Sequence, residues 1–165
     1  MASPTDIDRV WDIVEKVGVG MLTTRCAEGL RSRPVEPRLD RGAGLIRIIT
    51  DVRGLKDDEI ERSPDVGLVV ISADDKAYLS ITGGAVATRD AAMAKKIWHK
   101  SDDLWWPDGP DDPNVRVIVL TPSFAELWDG PSSSVVVAYE IAKAKVTGDK
   151  PNLGENRKTT VPLGT

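Results

Sequence analysis

One cysteine, Cys26, and one histidine, His99, stand in a chain of 165 residues. A lone cysteine excludes an intrachain disulfide and any Cys-rich zinc or iron–sulfur site. A lone histidine means that a Ser-His-Asp triad or a His-rich metal centre would have to be built on His99 or not exist. No apolar run approaches the ~20 residues that span a bilayer, so no membrane partner is expected. A basic excess is also missing: 22 Lys and Arg face 26 Asp and Glu, a net charge of −4. That balance argues against a nucleic-acid partner. Residues Met1 to Asp8 lack a basic start followed by an apolar stretch, so no secretory signal is expected and the sequence reads as cytoplasmic. If the chain is an enzyme, a bound cofactor is the economical source of its chemistry.

What is present suits a single domain over residues 1–165. The hydrophobic fraction of 41% supplies a core, and 29% charged residues supply a solvated surface. Residues 1–18 read as an N-terminal helix. Ser3 is its cap, Pro4 takes the first helical position, and Ile7, Val10, Trp11, Val14 and Val17 form one apolar face before Gly18 closes it. Short strands follow at 19–24, 30–38 and 45–50, the last two joined by the Gly-bearing loop 41–44. A short helix is expected over 55–62, with Pro64 beyond its end. The run from Gly67 to Ala73 is unbroken and apolar and reads as a strand buried on both faces. From Ala77 to Gly83 the pattern alternates, with Tyr78, Ser80 and Thr82 opposite Leu79 and Ile81. Residues 90–100 read as a helix with Met93, Ile97 and Trp98 as its stripe. A loop dense in Asp, Pro and Gly occupies 101–114, and strands are expected at 115–121 and 135–140. From about 142 to 165 the chain turns polar and reads as a C-terminal helix or arm. Six or seven short strands joined by tight turns imply antiparallel pairing. The fold class is mainly β, a small antiparallel barrel with peripheral helices that solves its edge problem by closure.

Several groups of residues carry possible chemistry. Arg31 and Arg33, at i and i+2 on a strand, share a face. With Arg38 and Lys56 they would hold a phosphate dianion through charge-assisted donors; the plainer reading is a solvated strand face. Thr50 and Asp51 end a strand just before the helix that Lys56 begins, an arrangement suited to phosphate or a polar ring edge. The plainer reading there is an Asp cap and a surface lysine. Gly18-Val19-Gly20 is no dinucleotide motif, because these glycines follow a helix and open a strand, and position 23 is Thr. Asp102, Asp103, Asp108, Asp111 and Asp112 lack calcium-loop spacing and suit turns. Trp105 and Trp106 sit on that polar loop and have to bury against a ligand ring, a second subunit or their own barrel. His99, beside Lys95, Lys96 and Lys100, reads as a surface residue at a helix end.

Taken together, Val19-Gly20-Met21-Leu22-Thr23-Thr24, Arg31-Ser32-Arg33-Pro34-Val35 and Ile48-Ile49-Thr50-Asp51 with Lys56 resemble the pyridoxamine 5′-phosphate oxidase-like split barrels that bind flavin. The stretches Leu104-Trp105-Trp106-Pro107-Asp108-Gly109, Asp111-Asp112-Pro113 and Glu126-Leu127-Trp128-Asp129 are similar to the general stress protein 26 branch. The resemblance implies a six-stranded antiparallel split barrel of the FMN-binding type. It also implies a homodimer with one flavin, FMN or alternatively FAD, in each cleft between the two chains. The phosphate is then expected at the Ser32-Arg33-Pro34-Val35 strand and Lys56, with Ile49, Thr50 and Asp51 along the isoalloxazine. Tyr78 would reach the flavin of the opposite subunit, and Trp106 and Trp128 would border the ring. The Arg-x-His element of the vitamin B6 oxidases is missing, since no histidine follows His99, and Gly54-Leu55 replaces the Ser and Arg common before the phosphate lysine. The resemblance thus favours a flavin-dependent oxidoreductase of unknown substrate. A flavin-binding stress protein without turnover is the alternative, ahead of a pyridoxamine 5′-phosphate oxidase or a deazaflavin-dependent reductase.

Overall fold

The computed structural model describes residues 4–129, 143, 148 and 155–159. Helix α1 (Pro4–Val17) lays its apolar stripe on the barrel, burying Val10, Trp11, Ile13 and Val14. It ends as the sequence predicts: Gly18 takes φ +70° and its N–H donates to the Val14 carbonyl at 3.0 Å, a left-handed cap that glycine adopts without a Cβ clash. Lys16 then ties the helix to Asp75 in a turn of the sheet at 2.7 Å.

The strands are β1 (Gly20–Cys26), β2 (Gly29–Val35), β3 (Arg38–Asp40), β4 (Leu45–Asp51), β5 (Asp65–Ser72), β6 (Ala77–Thr88), β7 (Val115–Asp129) and β8 (Glu155–Thr159). They form one antiparallel sheet in the order β2-β1-β5-β6-β7-β4-β3, with β8 added to β7. The sheet curls around a core that includes Leu22, Ile46, Ile48, Leu68, Leu79, Ile81, Ile118 and Leu120.

The class is the mainly β split barrel expected, but the count is eight strands among the described residues rather than six. Two causes are visible. The segment 30–38 is interrupted at Glu36-Pro37, where proline brings no N–H to a ladder, so it yields β2 and β3. Within the polar C-terminal segment, Glu155–Thr159 pairs with Ala125–Asp129 as a strand. The strand expected at 135–140 and most of the arm expected at 142–165 lie outside the described residues.

β5 also departs from expectation. Its burial alternates, leaving Val69 and Ile71 exposed. β5 lies between β1 and β6 in a sheet with one face on the core and the other turned outward, so period-2 geometry wins over its uniformly apolar composition. β6 overruns its expected end at Gly83 and continues to Thr88. The register shifts there, between Thr82 and Gly83, and a Cβ at Gly83 would lie 2.2 Å from the Thr121 carbonyl oxygen. Only glycine admits that approach. On β7 the same place is Thr121-Pro122, where the strand changes partner from β4 to β8.

After β4, a 3-10 turn (Val52–Gly54) leads into α2 (Lys56–Arg62). Helix α3 (Ala91–Ile97) is capped by Asp90, which accepts the Met93 N–H at 2.9 Å. Met93, Ile97 and Trp98 pack with Ala94, Trp106, Val115 and Val117 in a second apolar cluster. The ends of β2 and β4, the start of α2 and the loop after α3 converge on one cleft.

Candidate functional site

The cleft encloses ≈ 490 Å³, within the range of about 300–1,000 Å³ typical of small-molecule sites. Val19, Pro34, Val35, Ile49, Trp105 and Trp106 give it apolar walls, and Lys56 stands among its polar groups.

Lys56 is the first residue of α2 and follows Leu55, held at φ +61°. A Cβ at Gly54 would lie 3.0 Å from the ammonium, so glycine leaves room for it. The side chain is half-buried and has no hydrogen bond or ion pair among the described residues. Burial, and then the neighbouring Arg33 charge, push its pKa below the ordinary lysine value. Asp51, Glu59 and Asp57 attract it only at a distance, so the partly buried ammonium keeps its donors for an incoming anion.

Arg33 is spent differently. Arg31 and Arg33 share a face as the spacing predicts, but that face is turned to α2. Arg33 Nη2 donates to Glu59 Oε1 at 2.7 Å, and Nη1 donates to Oε2 at 2.9 Å. Thr24 Oγ1 donates to the same carboxylate at 2.6 Å and accepts from Arg33 Nη1 at 3.0 Å. Arg31 stands 3.4 Å away. Arg33's hydrogen bonds, followed by Thr24's, hold the Glu59 carboxyl below its ordinary range. Arg33 therefore adjoins the Lys56 ammonium without lining the cleft.

Asp51 ends β4 and caps the 3-10 turn, accepting from Arg53 N and Nε, each at 2.8 Å. Trp106 Nε1 donates to its second oxygen at 3.1 Å. Led by the Arg53 side chain, these donors lower its pKa to about 2, so the cap reading of Asp51 holds, while Lys56 is no ordinary surface lysine. Arg38 is buried and donates from Nη2 to Asp102 at 2.7 Å. Its Nε and Nη1 are buried with no partner among the described residues. Asp102 also accepts the His99 N–H at 2.8 Å, leaving His99 exposed and away from the cleft. Three of the other loop aspartates are similarly engaged: Asp103 with Trp98 Nε1, Asp111 with Lys95, and Asp112 with the Asn114 N–H.

Of the residues expected at a cofactor, Pro34, Val35, Ile49, Thr50, Asp51, Lys56 and Trp106 meet at this cleft. Four lie elsewhere in this chain. Arg33 is on Glu59, and Ser32 is on the opposite face of β2, sharing a 2.7 Å hydrogen bond with Thr23. Tyr78 and Trp128 are cross-strand partners on the outer face of β6 and β7. Arg38, read as a phosphate donor, and Trp105, read as burying against a ligand ring, also line the walls, while Glu36, Arg53 and Asp102 were not anticipated as cofactor contacts. The Arg38–Asp102 pair spans 64 positions and has no local sequence signal.

An antiparallel split barrel with a polar-ended cleft at its strand termini defines the class: the FMN-binding split-barrel fold. The chain belongs to the pyridoxamine 5′-phosphate oxidase-like family, whose sequence profile matches residues 5–152. A curated relative, general stress protein 26 of Bacillus subtilis (strain 168), is 30% identical over 77 residues, 45% of this chain and 54% of that protein. The match thus spans about half the relative's length. The crystal structure of a candidate general stress protein 26 from Jannaschia sp. CCS1 is 27% identical with a TM-score of 0.73, covering 94% of this chain and 99% of that one. The general stress FMN/FAD binding protein of Xanthomonas citri shares the fold at 22% identity and a TM-score of 0.71, covering 79% of this chain and 93% of that one. No helix among the described residues is long and apolar enough to cross a membrane.

Proposed function

We propose that this chain binds a flavin, FMN or FAD, and works as a flavin-dependent oxidoreductase of the general stress protein 26 type. The observation that carries the reading is the partly buried Lys56 ammonium, in no salt bridge among the described residues, at one end of an apolar cleft. A flavin phosphate needs a cation, and its ring needs flat apolar walls. Lys56 would take the phosphate, with Arg33 adding positive potential from behind. Ile49, Val35 and Trp106 would flank the ring, and the Thr50 strand end would meet its polar edge. Bound flavin supplies the redox chemistry; the residues supply position, electrostatics and exclusion of water.

A charge-assisted contact contributes about 1.5–3 kcal/mol, so Lys56→Ala should weaken flavin affinity about tenfold to a hundredfold. Fluorescence titration with FMN, FAD and riboflavin measures this. Affinity unchanged in a folded Lys56→Ala protein would remove the phosphate assignment. A chain that takes up no flavin at all would remove the whole reading.

The second subunit belongs to the same proposal. Ile71, Tyr78 and Trp128 align across β5, β6 and β7, and Met21 and Val69 lie in the adjacent rows. All five are exposed, which makes an apolar sheet face suited to a second copy. On that face Tyr78 and Trp128 would reach the partner's flavin. Light scattering should give roughly twice the chain mass of 17.9 kDa at micromolar concentration. A monomer that still binds flavin tightly would contradict a shared site.

A further inference from the structure

The turn before Lys56 puts its glycine and its left-handed residue at neighbouring positions rather than at one. Leu55 holds φ +61°, a conformation that glycine adopts freely and a bulky side chain does not. Its side chain is half-exposed, so packing does not account for leucine there. Gly54, one residue earlier, lies in the 3-10 turn outside the positive-φ region. Its backbone would accept an ordinary residue, so conformation does not account for glycine there.

The space around Gly54 does. Apart from its chain neighbours, the one heavy atom among the described residues within 4 Å of a Cβ at this position is Lys56 Nζ, at 3.0 Å. The missing side chain makes room for the ammonium and for nothing else. The turn itself is held from several sides. Val52 N–H donates to the Asn114 carbonyl at 2.9 Å, and Asp51 accepts the Arg53 N–H at 2.8 Å. The Leu55 carbonyl accepts the Glu59 N–H at 3.0 Å. With the backbone fixed in this way, the resting place of the ammonium depends on the side-chain room at position 54.

We propose that Gly54 is a positioning residue of the cleft: the absence of a Cβ there seats the Lys56 ammonium and so sets how tightly the chain holds a phosphate-bearing ligand. The proposal rests on the flavin reading above for the identity of that ligand, while the seat is a property of this turn alone. Gly54 acts through Lys56. A side chain at 54 displaces the ammonium or covers the face it offers, and leaves Ile49, Val35 and Trp106 as they are. Its effect therefore falls on the flavin phosphate and spares the ring.

The variants are Gly54→Ala, Gly54→Val and Gly54→Ala combined with Lys56→Ala, titrated by fluorescence with FMN and with riboflavin, which has no phosphate. Gly54→Ala should weaken FMN binding about threefold to tenfold, a part of what the whole Lys56 contact contributes, and Gly54→Val should weaken it further. Riboflavin affinity should not change, and adding Gly54→Ala to Lys56→Ala should cost nothing more. The thermal midpoint of Gly54→Ala should not fall, because alanine suits a helical turn better than glycine. In the flavin-free chain with isotope-labelled lysine, the Lys56 Cε resonance, identified by its loss in Lys56→Ala, should titrate below an ordinary lysine. In Gly54→Val it should move back toward the ordinary value, with the charges that act on it, Arg33, Asp51, Glu59 and Asp57, left in place. Equal weakening of FMN and riboflavin overturns the positioning role, and so does an undiminished effect in the Lys56→Ala background. Unchanged FMN affinity in both Gly54 variants overturns it too, as does a marked fall in the Gly54→Ala midpoint, which would make the glycine structural. A wild type that takes no flavin removes the flavin reading; the Lys56 titration then decides the role of Gly54, and an identical curve in Gly54→Val overturns it.

Discussion

Arg33→Ala is expected to lower the stability of the fold by about 3 kcal/mol at neutral pH. The Glu59 side chain is only 7% exposed, and it relies on two Arg33 nitrogens and the Thr24 hydroxyl. Removing one partner of a buried pair strands the other charge, which costs about 3–5 kcal/mol. The lower end applies because Arg31 remains within 3.4 Å. For a chain of this length the midpoint of thermal unfolding should fall by roughly 6–12 °C. The pH dependence has a definite sign. The Glu59 carboxyl is lowered from its ordinary 4.5 in the folded state. Its contribution is therefore fully present above the unfolded value and is lost as pH falls through the folded one. The gap between wild type and Arg33→Ala should narrow accordingly in acid. Flavin affinity should fall as well, since an unpaired Glu59 carboxylate beside Lys56 opposes a phosphate. Denaturant melts at neutral and acid pH measure the stability arm. A variant as stable as the wild type at neutral pH would mean that Glu59 does not hold Arg33, leaving the guanidinium available to the ligand.

That prediction turns on a contact no sequence pattern reveals. Glu59 sits in Lys-Asp-Asp-Glu-Ile-Glu-Arg, a polar stretch with the look of a solvated helix. Its burial follows from pairing with a strand residue 26 positions away. The Arg38–Asp102 pair is equally long-range. By contrast, whatever depends on local period was legible. The stripe of α1, the Gly18 stop and the alternation of Tyr78, Ser80 and Thr82 against Leu79 and Ile81 all appear as read. Local signals misled where sheet position overrode composition, as at the exposed Val69 and Ile71. Pro37 was a readable break, and it divides what pattern alone joined. For the cleft, the strand-end residues Ile49, Thr50 and Asp51 and the helix-start Lys56 were legible because one short turn connects them. The Arg31–Arg33 spacing gave the shared face correctly, but which partner that face meets is decided by where α2 packs.

The neighbouring tryptophans should respond in opposite ways to the same substitution. Trp106 is 7% exposed, packs with Ala94, Val115 and Val117, and faces Trp98 at a ring-centroid distance of 5.9 Å and 58° between planes. Its indole N–H also binds Asp51 at the end of β4. Truncation removes apolar area, opens a cavity between α3 and β7, and frees the loop that walls the cleft. Trp106→Ala should therefore cost about 3–5 kcal/mol and weaken flavin binding through the lost wall. Trp106→Phe keeps most of the ring and loses only the donor. Asp51 retains its bonds from Arg53, so that variant should cost no more than about 1–3 kcal/mol. Trp105→Ala, one residue earlier but 74% exposed, should change stability by no more than about 0.5 kcal/mol. Chemical denaturation of the three variants tests the contrast, because backbone and loop are common to all. Equal losses for Trp105→Ala and Trp106→Ala would show that the loop is held by its aspartate anchors alone. Trp106 would then be a dispensable cover rather than the post that joins the cleft to the second apolar cluster.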